Sequence, residues 1–145
     1  MDIRKAQAQD IDSIEKIVKQ YSFEEEREYA EIISSSNKGI FIAEQNGLIV
    51  GFLGYKFSNW NKTIEIINIF ILSEFRQKGF GSQLIQYLIK FVQGKNYRAI
   101  ICEAPSKSNA PKLYSKNGFR KCGYNDRYYG NEGREIAEFY SFDLN

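Results

Sequence analysis

Arg76-Gln77-Lys78-Gly79-Phe80-Gly81 is the segment whose residue types and spacing point most directly to chemistry. It lies between a nearly continuous apolar run, Thr63 to Leu72, and a run with Leu84, Ile85, Leu88, Ile89 and Val92 at helical spacing. The first pattern predicts a strand buried on both faces, the second an amphipathic helix over Ser82 to Val92. Glycine at 79 and 81 lets the backbone adopt positive φ and approach a ligand with no Cβ in the way. A helix N-terminus presents unpaired N–H groups and a positive dipole end, which suits pyrophosphate. Arg76 and Lys78 add countercharge. A plain strand-to-helix turn would use glycine for the same geometric reason. The segment is not a Walker loop, because no Gly-Lys-Ser/Thr follows. Nor is it a dinucleotide fingerprint, which needs three glycines in one run after the first strand.

The 145 residues contain no histidine. That excludes Ser-His-Asp and Cys-His nucleophilic sites and histidine-based metal sites. Acid–base work falls to carboxylates, tyrosines, lysines or water. Cys102 and Cys122 lack metal-type spacing and read as reduced core thiols, so no metal is expected. Lys and Arg total 20 against 18 Asp and Glu, a net charge of +2 with the signs interspersed. Such a balance gives no clustered basic face for nucleic acid. No apolar run approaches the ~20 residues that span a bilayer, and Met1 to Lys5 has no apolar signal core. The expectation is a cytoplasmic protein, monomer or homodimer, with neither nucleic acid nor membrane as partner. Apolar residues at 43% and aromatics at 15% suffice for one packed core, a single domain over residues 1–145.

The elements that must position the glycine segment can be read along the chain. Ile3 to Ala6 predicts a first strand. Asp10 offers an N-cap to a helix with Ile11, Ile14, Ile17, Val18 and Tyr21 on one face. A second helix is expected over Glu24 to Ile33, acidic at its start. Gly39 to Ala43 and Leu48 to Phe57 read as strands joined across Asn46-Gly47, a strong hairpin signal. The strand Thr63 to Leu72, the helix from Ser82 and a strand over Tyr97 to Glu103 follow. A short helix is expected from Asn109 to Asn117, with Pro111 in its first turn and Gly118 ending it. Tyr124 to Tyr129 and Ile136 to Leu144 form a closing hairpin. The order β-α-α-β-β-β-α-β-α-β-β predicts an α/β fold, a mixed central sheet of six to seven strands with helices on both faces.

Ile69-Phe70-Ile71-Leu72-Ser73-Glu74-Phe75 followed by Arg76 to Gly81 resembles the coenzyme A signature of the GNAT family of N-acetyltransferases. That signature is a strand, a short loop, then Arg/Gln-x-x-Gly-x-Gly/Ala. Ser73 stands where the family often has proline. The resemblance extends to the order of elements over essentially the whole chain. It implies acetyl-coenzyme A as cosubstrate. Backbone groups of Ile69, Phe70 and Ile71 would contact the pantetheine arm and acetyl carbonyl. Arg76, Gln77, Lys78, Gly79, Phe80, Gly81 and Ser82 would hold the pyrophosphate. Ala110 to Phe119 resembles the family's Ala-x-x-x-Tyr-x-x-x-Gly-Phe segment, which implies that Tyr114 protonates the departing thiolate. Phenol has a reference pKa of ~10, and a helix tyrosine packing on the sheet is the alternative.

Glu103 ends its strand. An ammonium of lysine-like pKa ~10.4 is less favourable as neutral amine by ~4–5 kcal/mol at pH 7, and a carboxylate, directly or through water, can take that proton. The position resembles the strand-end glutamate that serves as base in bacterial ribosomal-protein N-alpha-acetyltransferases. A solvated strand-end charge is the alternative, and Glu65 is a second candidate base. Asn109 resembles the pantetheine-binding asparagine of relatives, although theirs often sits where this chain has Lys107; a helix N-cap explains it equally. Arg127-Tyr128-Tyr129 to Ala137 resembles the closing hairpin of protein N-alpha-acetyltransferases, which implies that Tyr128 and Tyr129 clasp the acceptor. An aromatic hairpin that merely closes the sheet reads the same. Ile136 stands where those enzymes often have aspartate, and Tyr21 to Tyr29 lacks their proline-containing loop. Glu24, Glu25, Glu26, Glu28 and Glu31 offer an acidic surface to a cationic small amine, or a solvated face. The acceptor is thus an amine, a protein N-terminus first, a polyamine or aminoglycoside second. A non-catalytic coenzyme A sensor is the remaining alternative.

Overall fold

The computed structural model describes residues 2–20 and 28–144. Its strands are β1 (Asp2–Lys5), β2 (Lys38–Gln45), β3 (Leu48–Ser58), β4 (Thr63–Ile71), β5 (Ala99–Pro105), β6 (Arg120–Asn125) and β7 (Ala137–Asp143). The helices are α1 (Ile11–Val18), α2 (Tyr29–Ser34), α3 (Phe80–Val92) and α4 (Ala110–Lys116). The order of elements is the one expected, and the strands form one sheet in the order β1-β2-β3-β4-β5-β7-β6. Asn46 and Gly47 take φ of 53° and 79°, as a two-residue type I′ hairpin requires.

All neighbouring strands run antiparallel except β4 and β5. That parallel ladder contains only Thr63–Ala99, Ile64–Ile100 and Glu65–Ile101, although both strands run on. On the other side of β4, Tyr55 pairs with Ile66 and Gly54 with Asn68, so Ile67 is one extra residue, a bulge. The bulge changes which face the strand presents. Ile64 and Ile66 join the core beneath α3 and α4, whereas Phe70 joins the core beneath α1 and α2 and Asn68 donates from Nδ2 to the Tyr29 hydroxyl of α2 at 3.3 Å. An apolar strand in mid-sheet masks such a flip in its sequence.

Each face of the sheet carries its own core. Leu84, Ile85 and Leu88 of α3 are wholly buried against Leu53, Ile64 and Ile100. Ile14 and Ile17 of α1 pack with Ile42 and Phe52 on the opposite face. Each such side chain contributes about 1.5–3 kcal/mol by leaving water.

Several sequence expectations shift. The α3 helix begins at Phe80 rather than Ser82. The sixth strand starts and ends about four residues earlier than expected, so Tyr128 and Tyr129 lie in the β6–β7 connection and not on a strand, while β7 is one residue shorter at each end. Gly118 stops α4 with φ 91°, and β6 can start two residues later. Of the helix expected over Glu24 to Ile33, α2 is the part described; residues 21–27, with Tyr21 and the Glu24–Glu26 run, lie outside the described residues. Cys102 is buried as expected, but Cys122 is exposed, because it falls on the edge strand β6.

Asp10 does not cap α1 with its side chain. It ends a 3-10 turn, Ala8–Asp10, and its carboxylate accepts the Gln7 N–H at 2.7 Å. Arg4 of β1 grips the same carboxylate with both terminal nitrogens, at 2.9 and 3.0 Å, and donates Nε–H to Glu44 of β2 at 2.6 Å. The Arg4 guanidinium therefore holds the Asp10 carboxyl below its ordinary 3.8, against the opposing effect of burial. That stabilisation is complete above pH 3.8 and is lost as pH falls through the lowered value. Asp10→Asn should cost about 1–2 kcal/mol at pH 7, discounted for the partly exposed Arg4, and the cost should vanish in strong acid. Urea denaturation of both proteins from pH 7 to pH 2 measures this.

Candidate active site

After β4 the chain makes a 3-10 turn, Ser73–Phe75, and enters the glycine segment. Arg76 folds back, its Nε–H donating to the Ile71 carbonyl at 3.2 Å, and the Lys78 ammonium lies 5.6 Å from the centre of the Phe75 ring. Gln77 and Gly79 both take positive φ, 60° and 88°, and Gly79 caps α3. The first helical bond runs from Gln83 N–H to the Gly79 carbonyl at 3.0 Å. The N–H groups of Phe80, Gly81 and Ser82 therefore emerge at the helix end.

The two glycines serve different ends. Gly79 supplies a left-handed turn. Gly81 lies within the helix, and a Cβ there would come 3.1 Å from a methyl of Leu113 on α4. Its place is fixed by the close approach of α3 and α4, not by the positive φ that the sequence suggested. Asn117, which sequence reasoning did not single out, holds the same contact: its Nδ2 donates to Ser82 Oγ at 3.0 Å and its Oδ1 accepts from Gln86 at 3.1 Å. Asn before Gly118 at a helix end was the available signal.

Strand β5 turns two successive residues, Cys102 and Glu103, to opposite faces of the sheet. Cys102 faces the α3/α4 core, close to the Tyr114 side chain. Tyr114 is 2% exposed, its ring 5.5 Å from Phe119 and 5.8 Å from Tyr140. Burial, and then the nearby Cys102 and Glu103, push the Tyr114 phenol well above its ordinary 10. Burial likewise pushes up the Cys102 thiol. Both groups hold their protons.

Glu103 faces the other way. It accepts a hydrogen bond from the Tyr129 hydroxyl, which brings the β6–β7 connection over the strand end. Burial first, and then the Glu103 carboxylate, push the Tyr129 phenol up. Tyr128 meets Tyr129 edge-on at 5.0 Å and Phe139 at 6.2 Å, and Phe139 is the β7 residue directly opposite Glu103. Glu65 pairs with Ile101, two residues before Glu103 on the same face.

The connection is anchored by Glu135, which lies within the hairpin resemblance but has no role assigned by it. Its Oε1 accepts from Ser106 Oγ at 3.0 Å and from the Lys107 N–H at 2.8 Å, and Ser106 N–H donates to the Ile136 carbonyl at 2.9 Å. The match of Glu135 to the glutamate of that hairpin pattern was the available signal. Asn109 is exposed and makes no side-chain cap; Ser108 Oγ takes the Ala110 N–H instead, at 3.2 Å. Of the acidic run, Glu31 pairs with Lys38 at 3.2 Å. Among the described residues no cluster of His, Cys, Asp and Glu could hold a metal ion, and no helix is long and apolar enough to cross a membrane.

A glycine turn at a helix N-terminus, a parallel pair that stops pairing beside it, and a tyrosine and a carboxylate flanking the same strand end define one fold class. The profile of the Acetyltransferase (GNAT) family matches residues 6–119, and the chain belongs to that family. It is 30% identical to the N-acetylaspartate synthetase of Rattus norvegicus over 89 residues, 61% of this chain and 30% of that protein. The chain thus spans under a third of the length of that relative. The ribosomal-protein-S18-alanine N-acetyltransferase of Escherichia coli superposes with a TM-score of 0.86 at 20% identity, covering 99% of this chain and 93% of that one. A Bacillus anthracis protein assigned as a streptothricin acetyltransferase, solved with acetyl coenzyme A, superposes with a TM-score of 0.84 at 24% identity over 99% and 98% of the two chains.

Glu135→Ala should free the Lys107 amide. A hydrogen bond to a charged group is worth about 1.5–3 kcal/mol, so exchange of that amide with solvent should speed up roughly tenfold or more. Hydrogen exchange followed by NMR reads it directly.

Proposed function

We propose that the chain transfers an acetyl group from acetyl-coenzyme A directly to a primary amine, with a protein N-terminal α-amine as acceptor. The observation that carries this reading is the arrangement on β5: Cys102 with Tyr114 on one face and Glu103 with Tyr129 on the other, one residue apart, where the β4–β5 ladder has ended. A group lying in that gap has a proton donor on one side and a proton acceptor on the other.

The residues fit the cosubstrate. Gln77 to Ser82 would take the pyrophosphate on the emerging N–H groups, with Arg76 and Lys78 as countercharge. The edge of β4 over Ile69 to Ile71, beyond the end of the ladder, would pair with the amide-bearing arm and polarise the acetyl carbonyl. Asn109, exposed at the start of α4, would reach the same arm. Acetyl-coenzyme A supplies the activated acetyl group when bound. Tyr114, kept protonated by burial, would give its proton to the departing thiolate. Glu103 would take the proton of the entering ammonium.

The magnitude favours an α-amine. Its pKa near 8 makes the neutral form only about 1 kcal/mol unfavourable at pH 7, against about 4–5 kcal/mol for a lysine-type amine. A single half-buried carboxylate suffices for the first task. The β6–β7 connection with Tyr128 and Tyr129 would close on the acceptor from the Glu103 side.

Release of free thiol from acetyl-coenzyme A, measured with peptides, aspartate, polyamines and aminoglycosides, tests the reading. Turnover with peptides is expected; turnover confined to small amines would replace the acceptor, and binding without turnover on any of them would sink the enzyme. Tyr114→Phe should lower kcat by about tenfold to a hundredfold with little loss of cosubstrate affinity. Gly81→Trp should abolish coenzyme A binding in calorimetry, because the indole would occupy the α3–α4 approach.

A further inference from the structure

The resemblance gives Tyr128 and Tyr129 one shared task, gripping the acceptor. The structure separates them. The Tyr129 hydroxyl donates to a carboxylate oxygen of Glu103, while the Tyr128 ring stands edge-on to Tyr129 and to Phe139. We infer that Tyr129 is a positioning residue for Glu103, its phenol holding one carboxylate oxygen and so aiming the base at the entering amine, and that gripping the acceptor falls to Tyr128. This rests on the proposed role of Glu103 as base.

Three features support it. A carboxylate has about four lone-pair sites, so it can accept from a phenol and an ammonium together. Tyr129 need not leave when the acceptor arrives. The surroundings of the pair are rich in groups that are neutral or negative: Tyr128 and Glu135 act on Tyr129 from the hairpin, Glu65 shares the face from β4, and Cys102 and Tyr114 lie behind the strand. In such surroundings a neutral O–H donor favours the anion without adding a charge that would repel an ammonium. Finally, the hairpin is not a loose flap. Glu135 ties it to Ser106 and to the Lys107 amide, three and four residues past Glu103, so the tyrosine and the base are held from the same stretch of chain.

Tyr129→Phe keeps the ring and deletes only the hydroxyl. With an acceptor peptide, it should lower kcat about tenfold and leave the acceptor KM within about twofold. The acidic limb of kcat/KM should move to higher pH by about one unit, since the carboxylate has lost a donor that favours its charged form. Tyr128→Phe should leave that limb in place, and Tyr128→Ala should raise the acceptor KM. A Tyr129→Phe enzyme with a raised KM and an unmoved limb would overturn the inference and return the residue to the grip. So would one with wild-type kinetics throughout, provided Glu103→Gln stops turnover. If Glu103→Gln turns over like the wild type, the assignment of the base fails first and the inference with it, while continued thiol release would leave acetyl transfer itself standing.

Discussion

Parallel strands hold one another through evenly spaced backbone hydrogen bonds, and β4 and β5 give up that pairing after three residue pairs. The interruption costs ladder bonds in the centre of the sheet, where backbone polar groups are hardest to leave without partners. It is sustained from both sides: α3 is the crossover between the two strands, and the Ile67 bulge twists β4 away on its other edge. The carboxyl ends of parallel strands are where open sheets place their ligands, and here the N-terminus of α3 lies beside that end. The glycine segment follows β4, and the strand-end carboxylate and the buried tyrosine lie on the two faces of β5, past the point where regular pairing stops.

The two faces of β5 provide different media. Tyr114 sits in the α3/α4 core, almost out of contact with water, where a phenol keeps its proton. Glu103 sits half-buried under a hairpin that carries its own hydrogen-bond donor. In the proposed reaction the donor is dry and the acceptor damp, which is the direction in which protons have to move: one from a group that resists ionising unless a thiolate appears, the other onto a group in reach of solvent that can pass it on. The alternation of a strand, period two, supplies both environments from adjacent residues.

Much of this was legible in the chain. Gly79, the helical repeat from Leu84 to Val92, the Asn46-Gly47 turn and the Tyr114 to Phe119 segment each carry a local signal, and each lies where the sequence placed it. The parts that were not legible depend on contacts between distant residues or on surroundings that a local pattern does not encode. Tyr129 and Glu103 are 26 positions apart, as are no residues that a spacing rule compares. The Ile67 bulge hides in an apolar run whose two faces read alike. Cys122 reads as a core thiol because its neighbours do not reveal that β6 is the edge of the sheet. Gly81 shows the subtler case: its importance was visible, but the reason was Leu113, 32 residues away in sequence and 3.1 Å from a side chain that does not exist.

The division of β5 into two faces also divides the chain's freedom to vary. In the proposed reaction the thiol side is served by α3, α4 and Asn117, which meet where Gly81 faces Leu113 and Asn117 bonds Ser82. The amine side would be served by the segment from Asp126 to Ile136, exposed over most of its length and tied at its end by Glu135. Replacement of that segment would disturb neither the glycine turn nor the dry core behind Cys102. On the proposed reading, a scaffold so divided would exchange one amine for another by rewriting about ten residues, keeping the half of the site that is costly to rebuild.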